Sequence, residues 1–215
     1  RSSAASDVYK RQASGCLKKQ LAWKSEAART VWTEIVRLKI ERQYYFLREQ
    51  NAEQAELLCE YIRDIRDGDL SNREGHAAKV YFNALFGMSF KRGDQSFLNG
   101  ALNYGYAILL SAFNREIVSC GYNTQLGIAH KNEFNAFNLS SDLMEPFRVL
   151  VDRFVFGTGQ ELTPQYKHAL CDILNQKVRI GKESYTVSAA VGIYCRSMFE
   201  ALETGDIGKI KCYEL

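Results

Sequence analysis

Gly100-Ala101-Leu102-Asn103-Tyr104-Gly105-Tyr106-Ala107-Ile108-Leu109-Leu110-Ser111-Ala112-Phe113 is the most apolar run of the chain, and its reading decides the fold. Asn103 interrupts it and Asn114-Arg115-Glu116 follows it. It is too short for a bilayer, which needs about 20 apolar residues. It reads instead as a buried helix from Gly100 to Cys120, stopped by Gly121. A helix apolar on every side needs other helices around it.

Those helices are legible on both sides. Ser25 to about Glu49 places Trp32, Ile35, Val36, Ile40, Phe46 and Leu47 at helical spacing. Glu53 to Arg66 follows, with Leu58, Ile62 and Ile65 on one face, ending at Asp67-Gly68-Asp69. Ser71 to Phe86 is closed by Gly87. Beyond the central run comes a polar loop, Tyr122 to Asn138, then a helix from about Asp142 to Phe156 ended by Gly157. Thr163-Pro164 is a cap followed by proline at the first helical position, opening a helix to about Leu174. Lys177-Val178-Arg179-Ile180 and Ser184-Tyr185-Thr186-Val187, around Gly181-Lys182-Glu183, form the one predicted hairpin. A helix from Ser188 to Glu203 closes the pattern. The fold class is mainly α with one short β-hairpin, which is too small to stand without helices behind it.

With 215 residues and 46% hydrophobic content the chain can bury a core. Its net charge of +3 permits a nucleic-acid partner without arguing for one. Cys16, Cys59, Cys120, Cys171, Cys195 and Cys212 are scattered, with no C-x-x-C pair, so they read as reduced packing residues and favour a cytosolic compartment. No secretory signal or membrane-spanning run is present, and no P-loop, H-E-x-x-H, G-x-G-x-x-G or G-x-S-x-G motif. Gly205-Asp206-Ile207-Gly208-Lys209 lacks the spacing and hydroxyl of a phosphate loop, so nucleotide hydrolysis is not expected.

Three separated polar residues carry the chemistry: Glu74 in Arg73-Glu74-Gly75-His76-Ala77-Ala78, His130 in Leu126-Gly127-Ile128-Ala129-His130-Lys131, and Glu145 in Asp142-Leu143-Met144-Glu145-Pro146-Phe147-Arg148. Two carboxylates and an imidazole make a hard site suited to Mg²⁺ or Mn²⁺. Asp142 lies three residues before Glu145, on the same face of a helix, where it can act through a water or by orienting a ligand. Each residue also has a plain structural reading. Ser71-Asn72-Arg73-Glu74 fits a capping box with Glu74 folded back onto the cap amide, Ser141 can cap the helix of Glu145, and His130 can be a hydrogen-bonded loop histidine.

The three segments occur together, in order, in wording that resembles the CRISPR-associated integrase that inserts new spacers into a CRISPR array, the first protein of the adaptation module, of a type II-like kind. The resemblance runs from about Leu17 to about Leu202, and is also carried by Gln20-Leu21-Ala22-Trp23 and Leu102-Asn103-Tyr104-Gly105-Tyr106-Ala107. It implies that Glu74, His130 and Glu145 bind the catalytic Mg²⁺ or Mn²⁺. The implied reaction is attack of a DNA 3'-hydroxyl on a phosphodiester of the CRISPR repeat. The implied partners are double-stranded DNA, as prespacer and repeat, a small ferredoxin-like adaptation subunit, and a second copy of the chain, in a prokaryotic cytoplasm.

Members of that family usually begin with a small β-rich domain that pairs subunits. No such segment precedes the helices here, so residues 16–215 are expected to be the helical catalytic domain of an N-terminally truncated protein with impaired dimerisation. Arg1 to Gln12 shows no apolar period, and 1–15 is expected to be a linker or non-native segment. A catalytically incomplete DNA-binding or assembly fragment is the alternative reading. Arg73, Lys79, Lys91, Arg92, Lys131 and Arg148 surround the motif residues in sequence and are candidates for phosphate contacts, or else a solvated charged face. Lys18, Lys19, Lys24, Arg29, Arg37, Lys39 and Arg42 along the first helices read as such a face, and Tyr104 and Tyr106 as core residues.

Overall fold

The computed structural model describes residues 15–158 and 161–215; the expected linker lies outside them except for Gly15, which is already helical. A short helical stretch, 15–21, precedes α1 (Ser25–Gln50), α2 (Ala52–Arg63), α3 (Arg73–Phe86) and α4 (Phe97–Ser119). After a long loop come α5 (Asn138–Leu143), a 3₁₀ turn at Glu145–Phe147, α6 (Arg148–Gly157) and α7 (Pro164–Cys171). The hairpin β1 (Lys177–Ile180) and β2 (Glu183–Thr186) pairs Val178 with Tyr185, and α8 (Val187–Thr204) follows. The mainly helical architecture with one hairpin is thus as the sequence predicts. No described helix is long and apolar enough to cross a membrane, and all six cysteines are free.

The core forms where α1 and α4 are enclosed by their neighbours. α1 packs against α2, α3, α6, α8 and the 145–147 turn, while α4 packs against α5, α6, α7 and α8. On α4, Leu102, Leu109, Phe113 and Ile117 are fully buried. α4 begins earlier than predicted because Ser96 caps it, its hydroxyl accepting the Asn99 amide at 3.2 Å. Tyr106 is a core residue as expected, but Tyr104 is half-exposed.

Two predicted helices are broken. The one expected from Glu53 to Arg66 stops at Arg63, and a turn through Gly68 at φ 68° leads to α3. The one expected from Asp142 to Phe156 is α5, the 3₁₀ turn and α6. Pro146 has no amide to donate, and the α-helical pattern gives way there to the 3₁₀ turn at Glu145–Phe147. That turn packs against α1, which brings Glu145 to it.

At Gly105 α4 lies close against α6. A Cβ there would stand 2.4 Å from Cγ1 of buried Val151 and 3.1 Å from Leu170. Alanine gains about 1 kcal/mol of helix propensity over glycine, but over-packing a stiff, branched neighbour costs about 1 to 3 kcal/mol. The clash wins. Gly105→Ala is expected to destabilise the fold by up to about 2 kcal/mol, read as a lower urea midpoint with unchanged slope.

Candidate active site

Glu74 enters the site from the first turn of α3. The capping box is not formed: Ser71 hydroxyl donates to Asp64 O at 3.1 Å, and Asp69 caps the helix instead. Asp69 Oδ1 accepts the Arg73 amide at 2.7 Å and Oδ2 the Glu74 amide at 3.0 Å. Asp69 and Asn72 both adopt positive φ, at 54° and 51°, a conformation that Asp and Asn tolerate better than other side chains. Gly68 ties this turn to α1 through its amide, which donates to Thr33 Oγ1 at 2.7 Å. With the cap supplied by Asp69, the carboxylate of Glu74 is released toward α1.

There it meets Lys39, whose ammonium lies 2.7 Å from Glu74 Oε1 and 2.5 Å from Glu145 Oε2. The two motif carboxylates therefore converge on one cation position. Lys39 is only 8% exposed and Arg42 6%, so neither belongs to the solvated face expected of them. Burial works against the Lys39 ammonium, but the charges of Glu145 and Glu74 outweigh it and hold its pKa above the ordinary lysine value. Burial likewise pushes the Glu145 carboxyl up, and Lys39 and Arg148 reverse this, holding it at about 2. Arg148 reaches Glu145 Oε1 at 3.0 Å, and its guanidinium lies over the Tyr106 ring, 4.6 Å from the centroid. Glu145 Oε2, although beside the ammonium, is buried without a hydrogen bond of acceptable geometry.

The turn carrying Glu145 is pinned from the far end of the chain. Tyr213 is fully buried and its hydroxyl donates to Pro146 O at 2.9 Å, while Arg42 Nε donates to Tyr213 O at 2.8 Å.

His130 is held by Asp142 rather than by the two glutamates. Asp142 is fully buried; its Oδ2 accepts the amides of Ile128 at 2.6 Å and Ala129 at 3.0 Å, and Oδ1 accepts the His130 amide at 3.2 Å. Oδ1 also pairs with Nδ1 of the exposed His130 ring. That hydrogen bond raises the imidazole pKa against burial, with Asp142, Glu145 and Glu74 adding to it through their charges. The ring stands edge-on to Trp32, 6.0 Å between centroids. Nδ1 is committed, so Nε2 is the nitrogen left for a ligand. Among the described residues, no three His, Cys, Asp or Glu side chains cluster closely enough to hold an ion as they stand.

The loop that bears His130 is braced by Gln20, 5% exposed, which donates to Asn123 O and Leu126 O at 2.9 and 3.1 Å and accepts the Asn123 amide at 2.8 Å. Asn138 donates to Gln125 O and Asn132 O at 3.0 and 2.8 Å. Gly127 sits where this loop turns inward: a Cβ would lie 2.3 Å from His130 O and 2.9 Å from Asp142 Oδ2. Backbone cannot yield as a flexible side chain does, so Gly127→Ala is expected to displace the 127–130 segment and part His130 from Asp142. In an NMR titration the His130 pKa should then fall toward the ordinary value of about 6.5; an unchanged value would show that the loop accommodates the methyl group.

Of the phosphate candidates, Lys79, Lys91 and Lys131 are exposed. Arg73 is committed to Asp64, with its guanidinium 5.4 Å from the Tyr61 ring centroid. Arg92 donates to Asn103 at 2.8 Å, and Arg148 holds Glu145.

A family model described as CRISPR associated protein Cas1 matches residues 7–168. The chain belongs to the Cas1 family. The match begins inside the segment set aside as a linker. The chain is 38% identical, over 182 residues, to the CRISPR-associated endonuclease Cas1 of Neisseria meningitidis serogroup C (strain 8013), covering 81% of this chain and 60% of that protein's length. In structure it resembles a partial Cas6-RT-Cas1–Cas2 complex chain, with a TM-score of 0.79 at 20% identity over 96% of this chain and 75% of that one. It also resembles a casposase bound to integration product, with a TM-score of 0.75 at 20% identity over 91% of this chain and 70% of that one. At such identity these likenesses establish the Cas1 fold.

Proposed function

We propose that this Cas1 chain performs phosphodiester chemistry on DNA, joining the 3'-hydroxyl of a captured fragment to a phosphodiester of a CRISPR repeat. The observation that carries this reading is the convergence of Glu74 and Glu145, from separate elements, on one cation position, with a histidine held nearby by a buried aspartate. Carboxylate oxygens and an imidazole nitrogen suit Mg²⁺ or Mn²⁺, and a buried ammonium already sits between the two carboxylates, so the position accepts a cation. Glu74, Glu145 and Nε2 of His130 would hold the ion, which as a Lewis acid would draw charge from the phosphoryl oxygens.

The chain's own residues do the rest. Asp142 fixes the imidazole so that Nε2 is presented, the usual effect of a carboxylate on a liganding histidine. Arg148, held on Glu145, supplies fixed positive charge beside the site, suited to phosphoryl oxygens that gain negative charge. Exposed Lys79, Lys91 and Lys131 can bind the DNA backbone, setting its register. The bond energy passes from the broken phosphodiester to the new one, so no ATP is required, and water in place of the hydroxyl gives a nick. Neisseria's relative bears the name endonuclease, and the solved likenesses include a partial Cas6-RT-Cas1–Cas2 complex and a casposase bound to integration product. On that analogy the partners here are double-stranded DNA, a small ferredoxin-like subunit and a second copy of the chain.

A second reading, an assembly or DNA-binding piece that does not cleave, is favoured by the absence of three clustered ligands among the described residues. A nicking and strand-transfer assay on branched DNA separates the two. Products that need Mg²⁺ or Mn²⁺ and are lost in Glu145→Gln support the enzyme. DNA binding with no product at any divalent ion concentration supports the second reading.

A further inference from the structure

Lys39 stands in an unusual place for a lysine. It projects from the middle of a long helix into the core, and its ammonium touches both carboxylates read above as metal ligands, at 2.7 and 2.5 Å. Without it, Glu145, 4% exposed, would keep Arg148 as its one ion-pair partner among the described residues. The carboxylates would also repel each other across the space where the ammonium now lies.

We propose that Lys39 is a tethered counter-ion that occupies the cation position until a divalent ion arrives, and that metal binding displaces its ammonium into the adjoining cavity. The proposal rests on the reading of Glu74 and Glu145 as metal ligands. The cavity is about 210 Å³; Glu145 itself forms part of its wall, and Lys39, Gln43, Tyr106 and Asp152 line the rest with the cationic Arg92 and Arg148. It offers the ammonium a second berth. Gln43, one turn along α1 from Lys39, has a buried Oε1 with no hydrogen-bond partner, and Asp152 contributes a carboxylate to the same walls. A rotation about the flexible lysine stem exchanges one set of oxygens for the other, and the proton stays on nitrogen throughout. The displaced charge remains beside the site.

The consequence is a tax on metal affinity. When a site is competent for only a fraction of the time, its apparent dissociation constant rises by the inverse of that fraction. Removing the ammonium removes the competitor, whereas a guanidinium in its place keeps it. The test is a titration with Mn²⁺ alone, followed by the EPR signal of the free ion. Lys39→Met is expected to bind Mn²⁺ about tenfold or more tightly than the unsubstituted chain, a factor worth about 1.4 kcal/mol, and Lys39→Arg no more tightly than it. Equal or weaker binding by Lys39→Met, while Glu74→Gln abolishes binding, overturns the counter-ion role and leaves the metal reading standing. Binding unaffected by Glu74→Gln overturns both. A second measurement needs no variant: in a Mn²⁺-loaded structure of the unsubstituted chain the Lys39 ammonium should lie beyond about 4 Å, the ion-pair limit, from Glu74 and Glu145. Mn²⁺ bound with the ammonium still between them defeats the proposal even if Lys39→Met fails to fold.

Discussion

His130→Ala is expected to remove most strand transfer while leaving the fold intact. If His130 supplies one ligand of a catalytic ion, its loss costs roughly 3 to 4 kcal/mol of transition-state stabilisation, a few hundredfold or more in rate. The fold survives for a reason visible in the geometry. The His130 side chain is about half exposed, and removing it takes one hydrogen bond from Asp142, which still accepts the backbone amides of Ile128, Ala129 and His130. A buried carboxylate with three donors is not orphaned. Melting temperature should therefore move by no more than a few degrees, while the product per minute collapses. Unchanged turnover with Mg²⁺ or Mn²⁺ would dismiss His130 from the ligand set.

Asp142 presents the opposite balance. Its place one step back from any ion makes it less damaging to chemistry by direct contact, but its carboxylate closes the whole 128–130 segment. Spacing along the chain placed it near Glu145; only the folded loop reveals that its main partners are backbone amides. The motif residues were legible because their three segments recur together, in order, in the wording of a family. The helices were legible from apolar period, and the hairpin from its turn.

What the sequence concealed depended on contacts between distant segments. Lys39 and Arg42 read as charged surface because each alternates with other basic residues along α1. Yet Lys39 and Gln43 sit in register with buried Trp32, Ile35, Val36, Phe46 and Leu47, and polar residues at core positions were the available signal. Asp69 as the cap of α3 was hidden by a Ser-x-x-Glu pattern that fitted a capping box equally well. Its positive φ and that of Asn72 are set by the Gly68 turn docking on Thr33, which no local pattern encodes. Tyr213 and Gln20 act over 67 and 103 residues of sequence, one on Pro146 and the other on the His130 loop.

Asp152 gives the largest expected effect on stability, and it lies behind the site. Tyr81 and Tyr106 both donate to its carboxylate, from α3 and α4, and the residue is 1% exposed. Burial raises its pKa to about 6, against the lowering effect of the two tyrosine hydrogen bonds and of Arg148 and Lys39. The folded chain then keeps this proton to higher pH than the unfolded chain, whose ordinary value is 3.8. Between those values the unfolded state binds fewer protons, so stability falls as pH rises, by about 3 kcal/mol in all from this group. It is fully present below about pH 4 and lost above about pH 6. Asp152→Asn cannot ionise, and its amide can still accept from one tyrosine and donate to the other. Urea unfolding between pH 4 and pH 8 should therefore show a decline in the unsubstituted chain that is absent from Asp152→Asn. Glu145, with its lowered pKa, acts in the opposite sense and at more acid pH, so the difference between the two profiles isolates Asp152. Parallel profiles would mean that Arg148 and Lys39 keep Asp152 ionised throughout, and that the tyrosines serve a permanent carboxylate.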